Sequence, residues 1–417
     1  MMYGLLGKNL THSFSKDIHS YFGNNNYNIY NVDNIEDFFK NEKLRAFNVT
    51  IPYKNKVVKY LDVLDEVAKK TQSVNTVVFK DDLYYGYNTD YYGFIATLSY
   101  YNVDVKNKKI VLLGNGSVSN TIVLALNELE ASKITRLCRT VKEKYDDTFE
   151  NFYNYLDADI IINTTPVGMY PNNDNELSIN LSSFRECSVV IDLIYNPLRT
   201  KLLIEAEELG CQAINGLYML IMQAKKAHEL FFNCDLPLSF ANKVYKKIMR
   251  KTYNIVFIGM PLSGKSKYAK ILHDKLNKKM YDTDNEIEKY INTSISDFFS
   301  KHSEEEFRMF ETEVIKIIHK EKNCIISTGG GAVLKNINIS LLKQNGVIIF
   351  LNKDPKKIAE KEIKGRPLIK NSEDVLRIAE KRLPLYKKAC DISIDLKYDT
   401  MYHINEIKEK IDEYFNY

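Results

Sequence analysis

The sequence lacks the features of a disulfide-bonded, exported or membrane-spanning chain. Its six cysteines are scattered, without a C-x-x-C pair or a matching histidine cluster, so neither a disulfide framework nor a zinc site is predicted. No apolar run approaches the roughly 18 residues that a membrane-spanning helix needs, and the first residues lack a basic segment followed by an apolar one. We therefore expect a reducing compartment and a cytoplasmic protein.

The chain also lacks an excess of charge of one sign. Its 58 basic and 54 acidic residues leave a formal net charge of +4, which is too small to predict a surface for nucleic acid or for a membrane. We expect small-molecule partners, no nucleic acid and no membrane, while the composition leaves the oligomeric state open. At 417 residues the chain exceeds what one hydrophobic core usually supports, which predicts two or three domains.

Three short apolar runs that lead straight into a glycine turn or a polar loop predict an α/β protein. They are KKIVLLGNG near 108, NIVFIGMPLSG near 254 and CIISTGGG near 324. Buried parallel strands have this pattern and need helical crossovers. The first run opens a βαβ series of the size of a dinucleotide-binding domain. The residues before it alternate short strands with amphipathic stretches, which indicates a separate α/β domain.

The segment from Gly259 to Ser266 has the G-x-x-x-x-G-K-S spacing of a P-loop, between an apolar strand and the helical pattern KYAKILHDKL. In such a loop the backbone N–H groups hold phosphates, Lys265 reaches the β and γ phosphates, and Ser266 offers an oxygen to Mg²⁺. A glycine-rich turn with an idle lysine is the alternative, but chance matches rarely have this context. The segment predicts binding of a nucleoside triphosphate and transfer of its phosphate.

Several polar residues follow the P-loop in order. Asp282 and Asp284 lie two apart at a strand end and so project from one face, where paired carboxylates can serve Mg²⁺ and an acceptor hydroxyl. An arginine pair can grip an acceptor carboxylate through paired hydrogen bonds. Taken singly, each of these residues is also compatible with an exposed turn or a solvated ion pair. The later members of the series are Arg308, Glu311, Gly329, Gly330, Gly331, Arg366 and Arg382.

In this order, the motifs resemble the shikimate kinase family over residues 253 to 417. The resemblance implies that Asp284 contacts the ring hydroxyls of shikimate and acts, as a catalytic residue with Lys265, near the phosphorylated oxygen. It also implies that Arg308 and Arg382 hold the carboxylate of shikimate. It implies that Asp282 positions Mg²⁺ and that Gly329, Gly330 and Gly331 let the backbone approach the ring. The implied ATP-binding residues are Gly259, Pro261, Leu262, Ser263, Gly264, Lys265, Ser266, Lys267 and, on a mobile lid, Arg366. Lys267 departs from the threonine that the family more often has, with little expected consequence.

A second nucleotide site is indicated by the turn that begins at Gly114. It keeps two of the three glycines of the dinucleotide fingerprint, follows a strand and opens a helix. The next strand ends in Arg139, where an NAD site would place an acidic residue, and Arg139 with Lys142 suits the 2′-phosphate of NADP. That Arg139 is only a surface charge remains the alternative. The predicted NADP-binding residues are Gly114, Asn115, Gly116, Ser117, Val118, Ser119, Arg139, Thr140 and Lys142.

Polar clusters in the first 100 residues point to a substrate site. They are HSFS at 12–15, NVTIPYK with Asn48, Thr50 and Lys54, and SVNT and YNTD with Asn75 and Asp90. Each alone is compatible with a turn or a helix cap. Together with NTTPVGM, DLIYNP and NGLYMLIMQA, they resemble the shikimate dehydrogenase family over essentially residues 1 to 250. The family's two usual prolines are missing from this chain's GKNLTHSFSK, where Lys8 and Lys16 stand, which bears on affinity more than on activity.

The resemblance implies reduction of 3-dehydroshikimate by NADPH. Lys54 beside Asp90 is the predicted proton donor, because an ammonium held near a carboxylate stays charged and can stabilise and then protonate a developing alkoxide. The family pattern implies that Ser13 and Ser15 bind the substrate carboxylate. It further implies that Tyr195 lines the cleft. The residues that it implies for binding the substrate hydroxyls are Thr50, Asn75, Asp90 and Gln223.

The predicted architecture is therefore α/β throughout. An α/β substrate domain spans 1–100 and is completed by helices near 216–250, a Rossmann-type NADP domain spans 101–215, and a P-loop kinase domain with a parallel sheet spans 251–417. The predicted function is bifunctional: 3-dehydroshikimate to shikimate with NADPH, then shikimate to shikimate 3-phosphate with ATP and Mg²⁺. Two alternatives stay open: quinate or gluconate-type specificity, and a non-catalytic module that binds nucleotide or shikimate and regulates a partner.

Overall fold

The computed structural model describes residues 2–8, 10, 13–360 and 371–415. Its internal contacts divide the chain into two compact units, Met1–Ile248 and Met249–Tyr417. Within the described ranges, no helix has both the length and the apolar character needed to cross a bilayer. The described residues of the N-terminal unit form two sheets and those of the C-terminal unit form one.

The first sheet is mixed and has the strand order β2-β1-β3-β5-β6-β4. Strand β1 is parallel to β2 and β3, whereas β5 runs antiparallel to β3 and β6. The strands are β1 (Tyr3–Gly7), β2 (Tyr27–Asn31), β3 (Ala46–Val49), β4 (Val63–Leu64), β5 (Thr76–Lys80) and β6 (Leu83–Tyr87). The helices are α1 (Ser15–Tyr21), α2 (Ile35–Asn41), α3 (Glu66–Thr71) and α4 (Thr89–Tyr100). One face of the sheet buries a core that includes Leu6, Phe47 and Val77.

The second sheet is entirely parallel, in the order β12-β11-β10-β7-β8-β9. Its strands are β7 (Lys109–Leu113), β8 (Lys133–Cys138), β9 (Asp146–Thr148), β10 (Ile160–Asn163), β11 (Val189–Asp192) and β12 (Gln212–Asn215). The helices that accompany or follow them are α5 (Ser117–Glu128), α6 (Lys201–Glu208), α7 (Leu217–Phe232) and α8 (Leu238–Thr252). The strand order reverses between β7 and β10, and ligands of open parallel sheets bind in the crevice at such a switch point.

The third sheet is also parallel, with β13 at its centre in the order β14-β15-β13-β16-β17. Its strands are β13 (Asn254–Ile258), β14 (Lys279–Asp282), β15 (Cys324–Ser327), β16 (Gly346–Asn352) and β17 (Ile392–Asp395). The helices are α9 (Lys265–Leu276), α10 (Thr283–Ile291), α11 (Ile295–Phe299), α12 (Glu304–Ile318), α13 (Asn336–Lys343), α14 (Pro355–Ala359), α15 (Ser372–Ala389) and α16 (Thr400–Tyr414).

The structure confirms the predicted α/β class. The three apolar runs form β7, β13 and β15, each at or near the middle of a parallel sheet. The helices predicted near 216–250 are α7 and α8. The short edge strand β9 has the polar sequence DDT, which lacks the apolar pattern from which a strand could be predicted. It forms because its backbone pairs with β8.

Two buried imidazoles pack in the N-terminal unit between α1 and α7. His19 stacks on Tyr27 with ring centroids 4.1 Å apart, and His228 lies 6.3 Å from His19 by the same measure. The Nδ1 atoms of both rings lack a hydrogen-bond partner among the described residues. Burial lowers the pKa of His19 to about 3 and the pKa of His228 to about 4.

These two histidines predict a loss of stability in mild acid. An unfolded histidine titrates near pH 6.5, so between that pH and about 4 the unfolded chain binds more protons than the folded one. The free energy of unfolding should fall as the pH drops from 6.5, by up to about 1.4 kcal/mol per histidine and pH unit. Urea unfolding of the full chain, followed by circular dichroism at pH 7, 6 and 5, measures this slope.

The matched variants are His228→Leu, which removes a buried imidazole, and His302→Leu, which removes a largely exposed one. We expect a shallower pH dependence for the first and the wild-type dependence for the second. Equal slopes in the two variants would show that His228 has no part in the acid sensitivity.

Two candidate active sites

The predicted pair Lys54 and Asp90 meets in the N-terminal unit. Lys54 follows β3 and Asp90 lies in the first turn of α4, and Lys54 Nζ is 2.5 Å from Asp90 Oδ2. Both residues are less than one tenth exposed. Because the pair is removed from bulk water, its Coulomb attraction is stronger than that of a surface pair. The arrangement holds an ammonium group beside an acceptor-only carboxylate.

Two amides join this pair. Asn75, immediately before β5, donates from Nδ2 to Asp90 Oδ1 at 2.9 Å, and Gln223 Oε1 of α7 lies 3.4 Å from the same Nδ2. The approach of α7 depends on Gly93 of α4, where a Cβ would lie 2.7 Å from the backbone oxygen of Met219. Only a glycine lets the two helices come this close without a shift of the backbone. Four of the predicted substrate-site residues therefore converge.

The remaining predicted substrate residues lie at the start of α1, after β3 and after β11. Ser13 donates from Oγ to Ser15 Oγ at 3.0 Å, and the Ser15 backbone N donates to Ser13 Oγ at 3.2 Å. The ring between them, Phe14, packs against Tyr195 with centroids 5.6 Å apart, which brings Tyr195 next to the serines. Thr50 lies directly after β3, with its backbone N bonded to Leu6 O at 2.9 Å.

The predicted dinucleotide turn connects β7 to α5. Gly114 has φ +100°, and a Cβ there would lie 2.7 Å from Thr165 Cγ2. At Gly116, the N-cap of α5, an added Cβ would meet nothing within 4 Å, so the helix N-terminus faces open space. This is the place where a helix accepts a phosphate. Val118 is half-buried and Ser119 is buried, so their side chains face the interior of the unit more than this space.

Asn115 has a different role from the glycines beside it. Its Nδ2 donates to Thr140 O at 2.8 Å and to Asp146 Oδ2 at 2.9 Å. Asp146 also accepts from the backbone N of Lys142 at 2.9 Å and from Arg136 Nε at 2.6 Å. Asp146 therefore fastens the loop after β8, and the predicted phosphate ligands on that loop, Arg139 with Lys142, stay exposed.

Sequence reasoning missed both Asp146 and Asp192. Asp192, at the end of β11, accepts from Asn163 Nδ2 and Ile194 N at 3.0 Å and from Thr200 Oγ1 at 2.6 Å. Burial raises the pKa of Asp192 to about 7. It joins the loops after β10 and β11 and thus supports the crevice at the switch point. The motif DLIYNP contains Asp192, but the motif alone does not distinguish it from its neighbours.

The P-loop lies between β13 and α9 in the C-terminal unit. Gly259 and Gly264 have φ of +148° and +101°, and a Cβ on Gly259 would lie 2.9 Å from Leu351 O. Lys265 is 8% exposed and donates to Gly259 O at 2.9 Å and to Met260 O at 3.0 Å. Its ammonium group thus lies over the loop, where it can meet phosphates.

Other P-loop residues have distinct surroundings. The buried Ser263 Oγ has no hydrogen-bond partner in the part of the chain that is described. Leu262 has φ +64°, and Lys267 donates from Nζ to Thr400 Oγ1 at 2.8 Å, at the start of α16. Arg366, predicted on a lid, lies outside the described residues.

The predicted metal ligands also come together. Ser266 donates from Oγ to Asp282 Oδ2 at 2.6 Å, and Ser327 Oγ lies 3.2 Å from Ser266 Oγ. No cluster of three or more histidine, cysteine or acidic residues suited to a metal ion occurs in the described ranges. Mg²⁺ usually takes one or two protein oxygens and completes its shell with phosphate oxygens and water. Ser266 and Asp282 fit such a shared site.

A glycine run next to the P-loop forms the second half of this site. A Cβ on Gly330 would lie 2.8 Å from Pro261 Cδ, and one on Gly329 would lie 2.7 Å from Asp284 Oδ1. A Cβ on Gly331 would collide with the guanidinium of Arg308. The run therefore brings bare backbone against the predicted acceptor-binding side chains.

Carboxylates and a backbone carbonyl hold the two arginines. Arg308 donates to Glu311 Oε2 and to Glu304 Oε1, both at 2.9 Å, and Arg382 donates to Gly330 O at 3.0 Å. Each arginine is 6% exposed. Burial raises the pKa of Glu311, and its second oxygen has no partner within the described structure. The two guanidinium groups are therefore held in fixed positions beside the glycine run.

Comparison with known proteins finds a related family for each of the two units. A family model described as the shikimate dehydrogenase substrate binding domain matches residues 5–77, and one described as shikimate kinase matches residues 261–412. A shikimate dehydrogenase (NADP(+)) of Clostridium perfringens is 37% identical over 266 residues, which cover 59% of this chain and 98% of that protein.

Two of the solved structures that are similar to this chain each cover nearly three fifths of it. A chorismate mutase/shikimate 5-dehydrogenase fusion protein from Clostridium acetobutylicum is 34% identical with a TM-score of 0.56, covering 59% of this chain and 96% of that one. Shikimate 5-dehydrogenase from Listeria monocytogenes in complex with shikimate and NAD is 27% identical with a TM-score of 0.51, covering 58% and 96%. This chain is a bifunctional enzyme of the shikimate pathway, which belongs to the shikimate dehydrogenase family in its N-terminal unit and carries a shikimate kinase domain in its C-terminal unit.

Proposed function

We propose that the N-terminal unit reduces 3-dehydroshikimate to shikimate with NADPH, and that the C-terminal unit phosphorylates shikimate to shikimate 3-phosphate with ATP and Mg²⁺. The main support for the first reaction is the buried Lys54–Asp90 pair, in which Lys54 Nζ lies 2.5 Å from Asp90 Oδ2. Asn75 and Gln223 border this pair. The two reactions are consecutive, since the product of the first is the substrate of the second.

In the dehydrogenase, Lys54 supplies the proton. Asp90 holds the Lys54 ammonium in one place, so the ammonium stabilises negative charge on the substrate oxygen and then protonates it. In the oxidation of shikimate, the same lysine takes the proton back. The amides of Asn75 and Gln223 bind ring hydroxyls, together with Thr50. Ser13 and Ser15, whose hydroxyls are 3.0 Å apart, bind the substrate carboxylate, with Tyr195 beside them.

The residues around the Gly114 turn fit NADP. The N-terminus of α5 suits the pyrophosphate, and the exposed Arg139 and Lys142 suit the 2′-phosphate, which no acidic residue at the end of β8 opposes. When bound, NADPH supplies the hydride for the substrate carbon. The protein's part is to orient the two reactants and to exclude water.

In the kinase, the P-loop N–H groups and Lys265 hold the phosphates of ATP, which supplies the transferred group. Ser266 and Asp282 hold Mg²⁺ together with the nucleotide. Asp284 lies beside the glycine run, where it can orient the acceptor hydroxyl and accept its proton. Arg308 and Arg382 grip the carboxylate of shikimate in a fork that matches a planar anion.

We assign these roles to three domains. Residues 1–100, completed by helices near 216–250, form the substrate domain of the dehydrogenase; residues 101–215 form its NADP domain; and residues 251–417 form the kinase. The two sheets of the N-terminal unit and the single sheet of the C-terminal unit support this division.

The experiment that tests the proposal uses the full chain with shikimate as the common substrate. NADP⁺ plus shikimate should yield absorbance at 340 nm from NADPH, and MgATP plus shikimate should yield ADP, with EDTA abolishing only the second. Quinate and gluconate are the control acceptors. A preference for quinate or gluconate would replace the proposed specificity, and nucleotide binding without turnover in either assay would favour a regulatory module.

A further inference from the structure

Three donors surround the side-chain oxygen of Asn75. The backbone N of Thr89 donates to it at 2.8 Å, and the hydroxyls of Thr89 and Thr76 lie 3.1 and 3.2 Å away. A backbone N–H only donates, so the atom that faces it must be the amide oxygen of Asn75 and not its nitrogen. The Nδ2 group is therefore turned toward Asp90, whose Oδ1 it reaches at 2.9 Å.

The amide of Gln223 is oriented in the same network. Its Nε2 donates to Leu220 O at 2.9 Å, so its oxygen faces the network. That oxygen lies 3.4 Å from both Thr89 Oγ1 and Asn75 Nδ2. The hydroxyl of Thr89 thus contacts both amides that border the catalytic pair, and Thr89 directly precedes Asp90 in the first turn of α4.

The network is buried, and Asn48 binds one of its hydroxyl groups. Thr89 and Asn75 are each 3% exposed and Thr76 is fully buried. Thr76 Oγ1 accepts from Asn48 Nδ2 at 3.0 Å, which leaves its own proton for the oxygens of Asn75 or Thr89. Water cannot readily replace a lost donor in such a place, so loss of the Thr89 hydroxyl would remove one donor from Asn75 Oδ1 and one contact from Gln223 Oε1.

We propose that Thr89 is a positioning residue of the dehydrogenase site. It holds the amide of Asn75 in the orientation that occupies Asp90 Oδ1, which leaves Asp90 Oδ2 for Lys54, and it holds the amide oxygen of Gln223 away from the substrate. Thr89 acts through these groups and takes no part in proton transfer itself. This role rests on the proposed oxidation and reduction of shikimate by the N-terminal unit.

The test compares Thr89→Val with Thr97→Val in the full chain. Thr97 lies on the same helix, is 1% exposed, and donates within the helix to Gly93 O at 2.8 Å. We expect Thr89→Val to lower kcat/KM for shikimate about tenfold, with the KM for NADP⁺ and the kinase activity unchanged, because one buried hydrogen bond is lost. Thr89→Ser should recover most of the loss, and Thr97→Val should behave as wild type.

A second comparison asks whether Thr89 acts through Asn75. In an Asn75→Ala background, Thr89→Val should change kcat/KM by less than about twofold, because coupled groups are not additive. Three outcomes would overturn the proposal. They are a tenfold loss of kcat/KM from Thr89→Val in the Asn75→Ala background, wild-type kinetics of Thr89→Val alone, and a loss of kcat/KM in Thr97→Val as large as that in Thr89→Val. An inactive wild-type enzyme would instead refute the proposed function. If the valine variant does not fold, Thr89→Ala takes its place.

Discussion

Replacing Lys54 by methionine should lower NADP⁺-dependent oxidation of shikimate by about 10²- to 10⁴-fold, the range typical of a general acid or base. The structure gives the reason: the ammonium is buried, and its contact with Asp90 Oδ2 holds it in one place. Methionine retains most of the aliphatic stem of lysine, so we expect the substitution to lower kcat more than it lowers the stability of the fold. Stopped assays of NADPH formation at saturating shikimate measure it.

The matched control is Lys56→Met. Lys56 lies two residues away in the same segment and is exposed, so its replacement should leave the oxidation rate unchanged. Phosphorylation of shikimate by both variants should equal that of the wild type. A Lys54→Met enzyme that retained more than about a tenth of the wild-type rate would rule out Lys54 as the proton donor.

Replacing Lys265 by methionine should have the reciprocal effect, a loss of about 10²- to 10³-fold in phosphorylation with normal oxidation of shikimate. Phosphoryl transfer depends on preorganised positive charge around the moving group, and removal of one such donor commonly has this effect. Lys265 is preorganised because Gly259 O and Met260 O hold its ammonium over the loop. ADP release coupled to a reporter enzyme measures the loss.

Lys270→Met is the control for this second prediction. Lys270 lies on the exposed side of α9, one turn after the loop, and should be dispensable. Should either Lys54→Met or Lys265→Met disable both reactions in a folded protein, two independent sites would be the wrong description of the chain.

Local sequence was enough to predict the phosphate sites. The P-loop and the Gly114 turn each occupy fewer than about ten consecutive residues, and Gly114, Gly259 and Gly264 stand where φ is positive. The central strands were predictable for a similar reason, since a strand buried on both faces is apolar throughout. Edge strands such as β9 have no such pattern.

The substrate sites were predictable only through the order of several motifs. Lys54, Asn75 and Asp90 lie within 36 residues of one another, but Gln223 lies 148 residues beyond Asn75. No periodicity relates such positions. The supporting residues Thr89, Asp146 and Asp192 were missed, because a single threonine or aspartate in a sequence does not reveal which amide, loop or arginine it will meet.

The sequence by itself determined the α/β class, and it was enough to predict the two nucleotide-binding turns and the candidate catalytic side chains. Only the tertiary structure decided which of those side chains touch and in what orientation. The approach of α7 to α4 at Gly93, which brings Gln223 toward Asn75, depends on the packing of two helices distant in sequence. The direction of each buried amide depends on donors that packing brings beside it, as the Thr89 backbone N–H shows for Asn75. Phosphate-binding turns are properties of a short segment, whereas buried hydrogen-bond networks are properties of the whole fold.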